Sequence, residues 1–135
     1  MGNELLKIIS EKERPVLVAD FVLREDWLFL ELANYSLKPA LNVKIQFSQS
    51  IPGLAERKDF NQLNIFSKLK YIAPLKEFEI PVNRINTALS ALRKKEIEIQ
   101  LTYEDERKQR YEQRILHDLS IYEDFPIIIK NTKYE

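Results

Sequence analysis

The chain of 135 residues has no cysteine, one histidine and two glycines, and its 21 basic residues are balanced by 21 acidic ones. The absence of cysteine excludes disulfides, thiolate metal sites and cysteine nucleophiles. A single imidazole, that of His117, disfavours histidine triads and sites with several histidine ligands. The zero net charge gives no general attraction to nucleic acids or anionic lipids. With so few glycines, we expect asparagine, aspartate and proline to form most turns.

Long apolar runs are also missing, so the sequence disfavours direct membrane insertion. The first residues do not follow the pattern of a secretory signal peptide. Together with the lack of cysteine, this favours a cytoplasmic location. The length fits one domain. A hydrophobic share of 44% with 10% aromatic residues argues against global disorder, because enough apolar surface is available for a core.

Alternation of apolar and polar residues predicts strands. It is clearest over 41–49, where Leu41, Val43, Ile45 and Phe47 face inward, and over 96–103, whose inward residues include Ile99. Four further strands are predicted over 15–23, 27–35, 76–82 and 110–119. The pattern over 59–71 is ambiguous, and short edge strands are expected near residues 63–65 and 70–72.

A helical period replaces the alternation over 83–95. Ile85, Leu89 and Leu92 recur at helical spacing and predict one or two helical turns that link two strands, with Asn86 or Thr87 as the N-cap. Residues 1–13 have a helical apolar spacing as well and are predicted to form a short lead-in.

These elements predict an all-β fold. Alternating strands cannot bury their apolar faces alone, so about seven to eight strands should form an antiparallel β-sandwich. We expect a lead-in over 1–13, the sandwich over 14–122 with one short helical crossover, and an extension over 123–135 that contains an edge strand at 127–129.

Five segments resemble an immunoglobulin-like domain found in many bacterial proteins of unknown function, often after a membrane-spanning or long helix. They are Arg14-Pro15-Val16, residues 29–35 with 40–47, residues 71–74, residues 99–105 and residues 118–122. The resemblance implies an immunoglobulin-like sandwich and supplies no catalytic residues. Where that family has Asn-x-Gly and Pro-Gly turns, this chain has Asn34-Tyr35-Ser36 and Pro74-Leu75.

Residues able to do chemistry are scattered. His117 is expected to be a structural side chain near a strand end. Carboxylates cluster at 104–106 and at Asp118, Glu123 and Asp124, without the spacing of a calcium loop or a selected glycosidase pair. Basic residues over 107–114 lie beside tyrosines, but interleaved glutamates reduce their field, so a solvated hairpin tip is favoured over a nucleic-acid site. No cofactor and no metal ion are predicted.

The favoured function is a non-enzymatic protein-interaction module that binds a protein partner or a second copy through loops or a sheet edge. If Leu28, Leu30 and Leu32 face the core, the aromatic side chains between them face outward, where the lead-in, a long loop or a partner covers them. The predicted partner-binding residues are these aromatics and basic residues of the two longest loops: Trp27, Phe29, Arg57, Lys58, Arg93, Lys94 and Lys95. A membrane-proximal accessory or regulatory domain and a small metal-dependent hydrolase remain as alternatives.

Overall fold

A computed structural model describes residues 14–54 and 59–124. The described residues contain seven strands, which confirms the predicted all-β fold. The strands are β1 (Leu17–Arg24), β2 (Trp27–Asn34), β3 (Ala40–Phe47), β4 (Leu69–Ile72), β5 (Glu77–Arg84), β6 (Glu96–Glu104) and β7 (Arg110–Asp118). The predicted lead-in over 1–13 and the predicted edge strand at 127–129 lie outside the described residues.

The strands form two antiparallel sheets. The smaller sheet has the order β1-β2-β5, and the larger sheet has the order β4-β3-β6-β7. The edge strands are therefore β1 and β5 in the smaller sheet and β4 and β7 in the larger one. Each of these four edge strands has one row of backbone N–H and C=O groups that does not pair with a neighbouring strand of its own sheet.

The core lies between the sheets and follows the predicted alternation. Leu28, Leu30 and Leu32 of β2 are buried against residues of the larger sheet, among them Val43 and Ile99, whose exposed fractions are 1% and 0%. Burying one such side chain contributes about 1.5–3 kcal/mol, so these rows supply much of the stability. The inward faces predicted for β2 and β6 are confirmed.

The prediction that Leu41 shares the inward face of Val43 is wrong. The alternation breaks because Asn42 has a φ of 50° and the pairing of β3 with β6 shifts register between Leu41 and Lys44. This irregularity inserts one residue and reverses the direction of the side chains before it. Ala40 therefore takes the buried position, and Leu41 is only half-buried.

The segment before β4 contains a short helix, α1 (Ile65–Lys68), where an edge strand near residues 63–65 was expected. Phe60 and Phe66 are buried against Phe47 at the end of β3, with ring centroids 5.8 and 5.0 Å from that of Phe47. The edge strand expected near residues 70–72 is present as β4. The α1 turn packs this aromatic cluster onto β3.

The predicted crossover helix is α2 (Ile85–Ala91), and Ile85, Leu89 and Leu92 are buried as expected. The predicted N-cap residues are wrong, because Arg84 occupies that position. Strand β5 runs directly into α2, and the amide of Ile85 donates to the carbonyl of Asp26 over 2.7 Å. A backbone carbonyl therefore satisfies the first amide of the helix.

Candidate interaction sites

The predicted aromatics lie on the outer face of the smaller sheet. The guanidinium of Arg84 lies 4.9 Å from the ring centroid of Trp27, and that of Arg24 lies 5.9 Å from the ring centroid of Phe29. Each arginine also contacts a carboxylate, Asp26 for Arg84 and Glu79 for Arg24. Both rings are half-buried. Each arginine therefore lies over one aromatic ring at cation–π distance while its charge is paired with a carboxylate.

The predicted basic residues of the β5–β6 connection have different surroundings. Arg93 and Lys94 are exposed, whereas the ammonium of Lys95 donates to the carbonyl of Leu89 in the last turn of α2. Lys95 therefore has a structural role at the end of the helix, where a cation is favourable. Arg57 and Lys58 lie outside the described residues.

The two predicted binding loops meet at one end of the sandwich. The side-chain amide of Gln49 donates to the carbonyl of Lys94 over 2.8 Å. The side-chain amide of Asn83 donates to the carbonyl of Gly53 over 3.3 Å. These contacts hold the β3–β4 and β5–β6 connections together, close to the β1–β2 turn.

Strand β1 has a free edge that side chains of other elements close. The amide of Tyr35 donates to the carbonyl of Val16, so antiparallel alternation directs the backbone groups of odd-numbered β1 residues away from β2. Three carbonyls on that side accept hydrogen bonds: Pro15 from the Tyr103 hydroxyl (3.2 Å), Ala19 from His117 Nε2 (3.1 Å) and Phe21 from the Tyr122 hydroxyl (3.5 Å). The edge of β1 is thereby protected from pairing with another strand.

His117 joins the two sheets at this edge. Because a carbonyl only accepts, Nε2 carries the proton in the contact with Ala19. The imidazole packs edge-on against Phe21 with a centroid distance of 5.2 Å, and Nδ1 lies 3.7 Å from Oδ1 of Asp20. Burial raises the pKa of Asp20, while the charge of His117 acts in the opposite direction. The contacts agree with a structural role for this side chain.

The other three edges differ in how far they could accept a strand. Strand β4 has four residues, and β5 carries Pro81 on its free side. Both features limit pairing. Strand β7 has nine residues, and the bond from the Leu119 amide to the Lys95 carbonyl sets its odd-numbered residues toward β6. Within residues 14–54 and 59–124, no group binds the backbone of Glu112, Arg114 or Leu116 on the free side.

The opposite end of the sandwich is organised by Asn34, the one polar residue that is buried in the described part of the chain. Its Nδ2 donates to the carbonyls of Lys38 (2.8 Å), Ile72 (3.3 Å) and Ala73 (3.3 Å). Its Oδ1 accepts from the amide and hydroxyl of Ser36 at 3.1 and 2.7 Å. One amide group therefore connects the β2–β3 turn with the β4–β5 turn.

Both turns present a leucine to solvent. Leu37 is 67% exposed and Leu75 is 63% exposed, and Leu75 has a φ of 62°. The amide of Lys76 donates to the carbonyl of Ala73, so Leu75 occupies the third position of a tight turn, which favours glycine or asparagine. Sequence reasoning did not select these leucines as contact residues. The sequence feature that could have indicated Leu75 is the Pro74-Leu75 pair, because it stands where the resembling family has a Pro-Gly turn.

The carboxylate clusters serve turns. Oδ1 of Asp105 accepts from the amides of Arg107 (2.8 Å) and Gln109 (2.9 Å), and Oδ2 accepts from the Tyr111 hydroxyl (2.9 Å). Slight burial acts to raise the pKa of Asp105, but these hydrogen bonds outweigh it and hold the pKa below its usual value. Asp118 accepts from the hydroxyl and amide of Ser120, which lowers its pKa.

In the part of the chain that the structure describes, no three histidine, aspartate or glutamate side chains are grouped as a metal site requires. Nor does any described helix have the length and apolar character needed to cross a bilayer.

The fold and its edges define a β-sandwich domain of two antiparallel sheets. A family model described as "Domain of unknown function (DUF8453)" matches residues 4–123. Because this match spans most of the 135 residues, the chain belongs to that family. No curated protein matches the chain.

Proposed function

We propose that this domain is a non-enzymatic, immunoglobulin-like interaction module that pairs with a second copy of the chain along β7. The classification is supported by the strand order, since β1, β2 and β5 face β3, β6 and β7 as strands A, B and E face C, F and G in immunoglobulin domains. The observation that carries the interaction is the long edge of β7, which no other described residue pairs with, beside a β1 edge that side chains close.

The register of the pair follows from the free backbone groups. Even-numbered residues of β7 direct their N–H and C=O groups outward, so they must face even-numbered residues of the second strand. An antiparallel pair centred on Gln113 satisfies this condition. It places Glu112 of each copy opposite Arg114 of the other copy, and opposite charges at facing positions stabilise a sheet by about 0.2–1 kcal/mol per pair. Charge complementarity therefore favours a symmetric dimer.

Analytical ultracentrifugation across a wide concentration range tests this proposal. We expect a reversible dimer of twice the 16.0 kDa chain mass. The Glu112→Arg variant should weaken it, because like charges then face each other, and the double variant Glu112→Arg/Arg114→Glu should restore it. Glu123→Arg, an exposed residue beyond β7, is the matched control for the charge change. A monomer at every concentration, or a dimer that Glu112→Arg leaves unchanged, would overturn the proposal.

Hydrogen exchange separates pairing between copies from cover by the chain itself. If two copies pair, the amides of Glu112, Arg114 and Leu116 should be protected only at concentrations where the dimer forms. Protection of these amides in the monomer would show that another segment of the same chain occupies the edge, and the dimer proposal would then fail. Circular dichroism of each variant verifies that the fold is retained.

A further inference from the structure

A shallow pocket of about 270 Å³ lies on the outer face of the larger sheet. Its cationic side chains come from three strands, Lys44 from β3, Lys70 from β4 and Arg110 from β7. The remaining polar lining includes Asn42, Thr102 and Glu104. Residues that are far apart in the sequence are thus brought to one concave surface by the strand order.

The irregularity in β3 shapes this pocket. Asn42 has its φ of 50° where the pairing of β3 with β6 shifts, and its Nδ2 donates to Oε2 of Glu104 over 3.1 Å. Lys44 pairs directly with Thr102 across the same two strands. The asparagine therefore holds the one carboxylate of the pocket at its wall, while Lys44 projects from the next outward position of β3.

In the described part of the chain, the cations of the pocket differ from three arginines that have carboxylate partners. Arg24, Arg84 and Arg114 each lie within 4 Å of a carboxylate. By contrast, no carboxylate among residues 14–54 and 59–124 lies within that distance of Lys44, Lys70 or Arg110 (Glu104 faces Arg110 in the ladder but accepts from Asn42).

Glu112, which faces Thr102 of the pocket across the β6–β7 ladder, is also engaged elsewhere. Glu112 accepts from the side-chain amide of Gln100 over 2.7 Å, and its Oε1 lies 3.5 Å from Nε of Arg114. The pocket therefore has three cationic side chains and one carboxylate, in a chain whose formal net charge is zero. A local excess of positive charge in a concave site attracts anions.

We propose that this pocket binds a phosphate-type oxyanion, either inorganic phosphate or the phosphate group of a monoester. A guanidinium fork with two ammonium groups suits the several acceptor oxygens and double charge of such a ligand. The volume is just below the range of about 300–1,000 Å³ that is usual for larger organic ligands, which favours a small anionic group. The site does not depend on pairing along β7, so a monomeric chain would leave this proposal intact.

Titration of the isotope-labelled full chain with sodium phosphate, followed by amide chemical shifts, tests the site. We expect saturable shifts confined to β3, β4 and the β6–β7 hairpin, with sodium chloride at the same ionic strength as the control. Lys44→Gln and Arg110→Gln should each weaken binding about fivefold, as expected for the loss of one charge whose attraction is screened as in bulk water. Arg93→Gln and Lys94→Gln, at the opposite end, should leave the affinity unchanged.

Two further titrations identify the type of molecule that carries the phosphate group. Glycerol phosphate and a phosphoserine peptide are titrated separately, and stronger binding of one of them assigns the ligand to small phosphomonoesters or to modified proteins. Equal shifts with chloride, shifts that do not saturate, or an affinity that Lys44→Gln and Arg110→Gln leave unchanged would each overturn the proposal. Circular dichroism and the unfolding midpoint of both variants establish that the sheet is retained.

Discussion

Replacement of Asn34 by alanine tests whether one buried amide holds an end of the sandwich together. The change removes the donor to the carbonyls of Lys38, Ile72 and Ala73 and the acceptor for Ser36. The carbonyl of Ile72 would then lie buried without its side-chain partner. We expect the two turns to separate and the unfolding free energy to fall.

The size of the loss follows from the hydrogen bonds. A side-chain amide has two N–H groups, so the three carbonyls share two donors, and two further contacts involve Ser36. About four bonds at about 1 kcal/mol each give an upper figure near 4 kcal/mol. Because two of the contacts are 3.3 Å long, we expect a loss of about 3 kcal/mol, a large share of the ~5–15 kcal/mol typical of a domain.

Urea unfolding, monitored by far-ultraviolet circular dichroism and by Trp27 fluorescence, measures this loss. Trp27 lies at the opposite end of β2, so coincident transitions would show that the whole domain loses stability. Asn83→Ala, which removes a bond of 3.3 Å to Gly53 and an exposed bond of 2.8 Å from the Arg84 amide, is the control and should cost about 1 kcal/mol. A loss below about 1 kcal/mol for Asn34→Ala would refute the reasoning.

Asn34→Asp separates the donor from the acceptor role of the same side chain. The carboxylate keeps the contacts to Ser36 but turns an oxygen toward the carbonyls of Lys38, Ile72 and Ala73. At neutral pH we expect a greater loss of stability than for alanine, because a buried charge is added to the lost donors. Acidification should restore part of it, since a protonated carboxyl group donates. Equal unfolding free energies for both variants at all pH values would contradict this assignment.

Three further predictions concern turns and the covered aromatic face. Leu75→Asn should stabilise the domain by about 0.5–1 kcal/mol in urea unfolding, because asparagine tolerates the positive φ and the leucine is mainly exposed. The lowered pKa of Asp105 means that its ionised form stabilises the fold. In urea titrations, the excess unfolding free energy of wild type over Asp105→Asn should be complete above pH 3.8 and should disappear as the pH falls through the lowered pKa. Arg84→Ala should shift Trp27 emission to longer wavelength and cost about 0.5–1 kcal/mol, since the ring loses its cationic cover.

The fold was predictable where the alternation of side chains within one strand determines which of them are buried. Strand β6 alternates with a period of two along its whole length, and β2 does so from Trp27 to Leu32, so the predicted inward residues of both strands are buried. In β3 the same rule misplaced Leu41, because the irregularity at Asn42 depends on pairing with β6, far away in the sequence. Helix α1 was missed for a related reason, since its burial depends on the contact of Phe66 with Phe47.

The candidate sites were less predictable because strand order creates them. The pocket joins Lys44, Lys70 and Arg110 only once β4 and β7 lie on either side of β3 and β6. Similarly, the cover of Trp27 by Arg84 arises from cross-strand pairing of β2 with β5. Residue types and spacing alone reveal neither the grouping of these cations nor the contact of Arg84 with Trp27. The sequence therefore pointed to the aromatic residues but not to the arginines that lie over them.

The two neighbouring edges of the sandwich, β1 and β7, are unequal for a chemical reason. The inward side chains of β7 include His117, whose N–H reaches across to the carbonyl of Ala19. The inward side chains of β1 are Leu17, Ala19, Phe21 and Leu23, none of which has a polar group to return to β7. A side chain of β7 therefore binds the β1 backbone, whereas the inward side chains of β1 cannot bind the β7 backbone. Among the residues that the structure describes, the β1 edge is protected, and the outward amides of β7 remain as donors that a second strand can satisfy.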